Sequence, residues 1–180
     1  MLLSLLMMTN IIYSPFYSEL INSYQYQGLT NDCGPFSISI ILQALKVSKI
    51  TGTDLSKDMK GLHWNGIYPN IYRLRNGATF PWGILKILRK YNLHCKYYVF
   101  TSEEKIIRYM KEKNIVILLV GKLFPLWAHY MIFGKYSALK GYGFIDPGNN
   151  KNKISWIIKD DLKNIWKTYA YSCIVITDII

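Results

Sequence analysis

The chain has 180 residues and a mass of 21.0 kDa, one domain's worth and enough to bury a core without disulfide or metal staples. With 51% hydrophobic and 18% charged residues, wholesale disorder is excluded, and no apolar run approaches the roughly 18 residues that a membrane-spanning helix needs. Lys plus Arg number 22 against 11 Asp plus Glu, a net +11, and every basic residue lies from Lys46 onward, so residues 1–45 carry −2 and the remainder +13.

Such a balance suits an anionic partner. The 18 Lys and 4 Arg are scattered, however, and no nucleic-acid motif accompanies them, so no nucleic acid is expected. The apolar start, Met1 to Met8, lacks the positive n-region and small-residue cleavage site of a secretory signal. A cytoplasmic location is expected, with secretion left open. Cys33, Cys95 and Cys173 are odd in number and show no C-x-x-C spacing, which speaks against a disulfide framework or a structural zinc. No metal and no cofactor are expected.

No repeat or linker divides the chain, so 1–180 reads as one domain, with 1–23 as an apolar N-terminal extension. Apolar residues at helical spacing (Phe36, Ile40, Ile41 or Leu42, Leu45) predict a buried helix from Pro35 to Val47. Thr53 would cap a short helix, Asp54 to Lys60, stopped by Gly61. Residues 61–79, rich in Gly and aromatics, read as a long loop; the aromatic stretch Trp64 to Trp82 would line a substrate cleft or be core or a lid, the latter being favoured. Pro81 to Tyr91 returns to helix and Cys95 to Phe100 to strand. Thr101 and Glu104 form a capping-box pattern at the start of a helix from Ser102 to Lys113.

The β-branched run Ile115 to Val120 predicts a central strand. Ala128 to Tyr136 and Gly141 to Asp146 follow as strands, and Asp146-Pro-Gly-Asn-Asn as a turn. A strand from Lys153 to Trp156, a helix from Lys159 to Trp166 and a strand from Tyr171 to Thr177 close the chain. Helices first and strands later indicate an α+β layout with an antiparallel sheet.

Cys33 stands just before the predicted Pro35 helix. The positive end of a helix favours thiolate, the nucleophilic form. Pro35 suits a first turn, and Gly34 would let a bound carbonyl approach. A thiolate nucleophile needs a base, and the base needs an orienting group. Of the three histidines, His129 lies in a predicted strand, which holds a side chain rigidly. A two-residue turn at Ser137-Ala138 makes paired residue numbers add to 275, so that His129 faces Asp146; a four-residue loop shifts the sum to 277 and keeps both on one face. An odd loop or bulge would separate them. Gln27, six residues before Cys33, would donate to an oxyanion together with the Cys33 N–H, with Gln25 as its competitor.

These residues resemble a known family. Gln27 through Asp32-Cys33-Gly34-Pro35, then His129-Tyr-Met-Ile-Phe-Gly134, then Asp146-Pro147 look like the bacteriocin-processing peptidases that cut after double-glycine leaders, a branch of the papain-like cysteine peptidases. The resemblance implies a papain-like fold of N-terminal helices packed on an antiparallel sheet. It implies Cys33 as nucleophile, His129 as general base and acid, Asp146 as its orienting group and Gln27 in the oxyanion hole. Phe36 and Ser37 stand where the family usually has small residues. Bacteriocin-processing members are commonly fused to a membrane transporter with an ATPase domain, neither of which is in this sequence. The expected activity is a stand-alone cysteine peptidase acting on a peptide or protein through an acyl-thioester. The alternatives are an acyl-transfer or amide-exchange enzyme using the same triad, and a non-catalytic peptide-binding module.

Overall fold

The structure, a computed structural model, describes residues 11–74, 77–151 and 153–177. Its chain order is β1 (Ile11–Tyr13), α1 (Tyr17–Asn22), α2 (Cys33–Ala44), α3 (Gly52–Asp58), β2 (Leu62–Asn65), β3 (Tyr68–Ile71), α4 (Pro81–Lys90), β4 (His94–Tyr98), α5 (Glu103–Lys111), β5 (Ile115–Lys122), β6 (Trp127–Ser137), β7 (Gly141–Ile145), β8 (Ile154–Ile157), α6 (Lys159–Trp166) and β9 (Cys173–Thr177). The main sheet runs β4-β9-β5-β6-β7-β8, and β1 adds to β6. Every strand pair in it is antiparallel.

The apolar run of β5 is explained by cover on both faces. Ile115, Ile117 and Leu119 join a core with α2, α3 and α4, whereas Val116, Leu118 and Val120 join a second core with α5 and α6. A strand buried on both sides has no polar face to alternate with. The expected layout of N-terminal helices against an antiparallel sheet holds, and the charged later helices cover the opposite face. α5 and α6 bury Ile106, Met110, Leu162 and Trp166 and turn most of their charges outward, while Glu103 is buried and accepts the Tyr142 hydroxyl at 2.7 Å.

Most elements fall where the sequence pattern places them, and the departures have local causes. The short third helix starts at Gly52 and is capped by Thr51, whose hydroxyl accepts the Asp54 N–H at 3.2 Å; Thr53 lies inside it. At α5 the cap is Ser102, accepting from the Lys105 N–H. Thr101 is unavailable because its N–H goes to the Tyr171 carbonyl at 3.1 Å. Residues 61–79 are not all loop: β2 and β3 form a separate hairpin. Trp64 is 69% exposed there, so that hairpin is not core. Residues 1–10 of the 1–23 segment lie outside the described residues, while β1 pairs with β6 and α1 packs on α2.

The β6–β7 hairpin places the later site. Its loop is residues 138–140, three long, with Gly141 opposite Ser137. Gly141 has φ 84, and a Cβ there would sit 2.4 Å from the Ile157 carbonyl oxygen. The turn therefore requires glycine. Gly141→Ala should cost about 2 kcal/mol through strain at positive φ. In a chain of this size that lowers Tm by roughly 4–8 °C, measurable by thermal denaturation, and an unchanged Tm would contradict the assignment.

Candidate active site

Cys33 is the first residue of α2, two residues before the expected start. Eleven of the twelve α2 residues are buried, Gln43 being the exception, so the helix is held from all sides rather than along one stripe. Its polar residues are matched: Ser39 donates to the Ile50 carbonyl at 2.7 Å and accepts from Gln25 Nε2 at 2.6 Å. Gln25 is thereby committed to packing, and its other amide atom takes the Gly52 N–H. Phe36 fits because Gly52 faces it; a Cβ at Gly52 would lie 2.4 Å from the ring. Gly34 serves the same end against Thr79, whose side chain would be 2.7 Å from a Cβ. That glycine is needed for helix packing, a reason the sequence did not reveal.

Asp32 precedes Cys33 and is a good helix-capping residue type, yet its side chain makes no cap bond. It is turned instead to the guanidinium of Arg73. Arg73 is 2% exposed and also donates to Ser56 Oγ at 2.7 Å. The pair leaves the helix end uncapped by that carboxylate and neutralises an anion next to the thiol.

His129 and Asp146 meet by a compensated register. The three-residue loop makes paired numbers add to 278 at Tyr136↔Tyr142, an even sum that would put the two side chains on opposite faces. A bulge between Phe133 and Lys135 then inserts one residue, and the sum becomes 277 at Ile132↔Ile145. Two odd features cancel, and His129 Nε2 bonds Asp146 Oδ1 at 2.6 Å. The same Oδ1 accepts the Gly148 N–H at 2.8 Å, and Oδ2 accepts the Ser155 hydroxyl at 2.6 Å. Because Nε2 is engaged by Asp146, Nδ1 is the ring nitrogen left for Cys33. Burial disfavours the charged ring, but hydrogen bonds with Asp146 and with Cys33, backed by their negative charge, outweigh it and push His129 up to about 10. Burial raises the Asp146 carboxyl, and the bond to and charge of His129, helped by Ser155 and the Gly148 amide, bring it below its usual value.

No family model and no curated protein matches the sequence. Solved structures do match the fold. One is a protein described as a C39-like peptidase from Bacillus anthracis, with TM-score 0.64 and 13% identity over 86% of this chain and 94% of that one. Another is a double-glycine motif protease from an AMS/PCAT transporter, in complex with the leader peptide, with TM-score 0.56 and 18% identity over 86% of this chain and 91% of that one. The fold is that of the C39 papain-like peptidases.

In this fold His129 bonds Asp146, and Cys33 at the start of α2 lies close enough to bear on the His129 ring. Gln27 comes to the edge of the same site: its N–H donates to the Pro147 carbonyl at 2.9 Å. Its side-chain Nε2 donates to the Thr30 carbonyl at 2.6 Å, which commits one amide hydrogen to its own loop. Cys95 and Cys173 are free thiols that burial pushes up, Cys173 to about 11. His63 stacks on Tyr72 with ring centres 4.0 Å apart. A groove of about 630 Å³ opens on Cys33, with Leu74 and Trp82, Leu126 and Trp127 among its lining residues, and among the described residues no charged side chain lines it. Trp82, at the end of the aromatic segment, is part of this lining. Among the described residues no helix is long and apolar enough to cross a membrane.

Arg73, Ser155 and Tyr24 escaped the sequence reading. Tyr24 donates to the Asn149 carbonyl at 2.6 Å and reaches the Asp146 carbonyl at 3.2 Å. Each is an ordinary residue type far from its partner in sequence.

Two outcomes follow. Arg73→Ala leaves Asp32 without its cation, a loss of roughly 3–5 kcal/mol for a buried pair; urea denaturation should show it, and a loss below about 1 kcal/mol would mean the pair is not formed. His129 is held above its unfolded value of 6.5, so its contribution to stability is full below that pH and is lost as pH rises through about 10. The lowered Asp146 contributes above 3.8 and loses its share as pH falls. The stability gap between the parent and His129→Ala should be widest between those two unfolded values and shrink toward pH 10; a gap independent of pH would contradict the pairing.

Proposed function

We propose that the protein is a cysteine peptidase in which Cys33 is the nucleophile, His129 the general base and acid, Asp146 the orienting group, and Gln27 with the Cys33 N–H the oxyanion donors. The observation that supports this is the bond of His129 to Asp146 beside Cys33, which itself opens on the groove.

The Cys33 thiolate attacks the scissile carbonyl carbon, and the carbonyl π pair moves onto oxygen. The oxyanion forms beside the amide end of α2, where the helix N-terminus favours negative charge. Collapse breaks the C–N bond, and His129 gives its proton to the departing amine. Water then attacks the thioester, His129 takes the water proton, and the acid leaves as the thiolate–imidazolium pair is restored. Asp146 holds the ring so that Nδ1 faces sulfur throughout.

The aromatic-walled groove suits a peptide with bulky apolar side chains flanking the cut. A leader-like peptide, as seen bound in the double-glycine motif protease, is one substrate of that class. The +11 balance adds attraction for an acidic one.

Alkylation of each cysteine against pH, read by mass mapping, tests the nucleophile. Cys33 should be the fastest-reacting thiol at neutral pH, Cys95 and Cys173 should react slowly, and His129→Ala should abolish the difference. On a peptide library, Cys33→Ala should remove cleavage and His129→Ala should lower kcat/KM by roughly 10³-fold or more. Free carboxylic acid products are expected; amide products from an added amine would place the protein among acyl-transfer enzymes, and a Cys33 as inert as the other two thiols would overturn catalysis altogether.

A further inference from the structure

We propose that Ser155 is a positioning residue of this site: its hydroxyl holds the Asp146 carboxylate in the orientation that meets His129. The inference rests on the reading of Cys33 and His129 as a working pair.

A carboxylate on a turn residue turns readily about its terminal bond, because sp³–sp² torsions are broad. Oδ1 is occupied by His129 Nε2 at 2.6 Å and the Gly148 N–H at 2.8 Å. Both bonds lie on one oxygen and leave the plane of the group free to swing. The bond from Ser155 to Oδ2 at 2.6 Å fixes the other end. Ser155 is well placed to do so because it is not part of the turn. It lies on β8, directly opposite Phe144 of β7, so the ladder sets its position independently of residues 146–149.

The direction of this bond is also fixed. Asn149 Nδ2 donates to Ser155 Oγ at 3.2 Å. With a lone pair of Oγ occupied, its single proton is left for Asp146, which as a carboxylate can only accept. The turn itself is clamped from outside by the Tyr24 hydroxyl, a donor that burial and the nearby Asp146 charge keep protonated, its pKa pushed up to about 12. Ser155 thus adds orientation to a main chain already held in place.

Four titratable or charged groups surround this carboxylate. His129 on β6 and, through it, Cys33 on α2 lie on one side. Tyr24 lies on the other, with the Lys153 ammonium 5.6 Å from the centre of its ring. A carboxylate free to rotate would share its charge among these neighbours and with water. His129 would lose part of its support as a cation and would give up its proton at a lower pH.

The experiment is the rate of Cys33 alkylation by iodoacetamide from pH 4 to 11 for the full chain and for Ser155→Ala, Ser155→Thr and Ser155→Val. It needs no substrate, so it stands apart from peptide cleavage. Thr and Val have the same shape and differ in the hydroxyl, which keeps packing out of the readout if the alanine variant folds poorly. Ser155→Ala and Ser155→Val should bring the alkaline limb down by about one pH unit. Ser155→Thr should stay within about twofold of the parent. If Thr and Val behave alike, or if Ala and Val superpose on the parent, Ser155 has no positioning role. If the parent itself matches His129→Ala, the Cys–His reading fails and this inference falls with it.

Discussion

The bond between His129 and Asp146 depends on parity. Along a strand, side chains alternate between faces, so one residue of slippage moves a whole set to the wrong side. Here a three-residue loop introduces the slip and the bulge at Gly134 removes it. The last ladder pair is Ile132↔Ile145, after which the Asp146–Asn149 turn takes the place of β7 beside β6. His129 therefore stands on a strand supported by β5 on one side, at Val120, and meets the turn on the other. Groups brought from three separate segments can meet there because no strand fills that edge.

The second requirement is electrostatic. A nucleophilic thiol benefits from positive potential, and the start of α2 supplies it only while no carboxylate caps that end. Asp32 is the residue type that would cap it. Arg73 prevents this by taking the carboxylate sideways, and its own burial is made tolerable by Ser56 and the Asn31 carbonyl. The nearest anions then have assigned partners: Asp32 goes to Arg73, and Asp146 to His129, Ser155 and Gly148. Among the described residues, no charged side chain lines the groove beyond Cys33.

What was legible in the sequence was what short-range pattern encodes. The β5 run, the hairpin strands after it, α4 and α6 follow from periodicity and flanking residues, and the antiparallel layout follows from their order. The pairing of His129 with Asp146 was reached through even loops, whereas the chain uses two odd features that cancel. The conclusion survived because parity counts only the total. Three kinds of feature stayed hidden. The β2–β3 hairpin lacks the alternation that marks a half-buried sheet, since much of it faces solvent. The caps at Thr51 and Ser102 differ by a residue or two from rival threonines, and tertiary bonding decides between them. Arg73 and Ser155 act on partners 41 and 9 residues away, and nothing in their neighbourhood announces that.

The N-terminal part of the chain belongs to the same chain of dependence. In sequence it reads as an apolar appendage. In the fold, β1 pairs with residues 135–137 of β6, on the far side of the bulge from His129. The Ser14 N–H donates to the Gly134 carbonyl at 2.8 Å, and a Cβ at Gly134 would lie 3.3 Å from the Tyr17 ring. The bulged residue is thus bonded and covered by this segment. Lys135, next to it, donates to the Tyr17 hydroxyl at 2.9 Å. A bulge leaves one residue without a ladder partner, and an unpaired backbone group is costly unless something else satisfies it. β1 and α1 supply that partner, so the described part of the segment secures the irregularity on which the meeting of His129 and Asp146 depends.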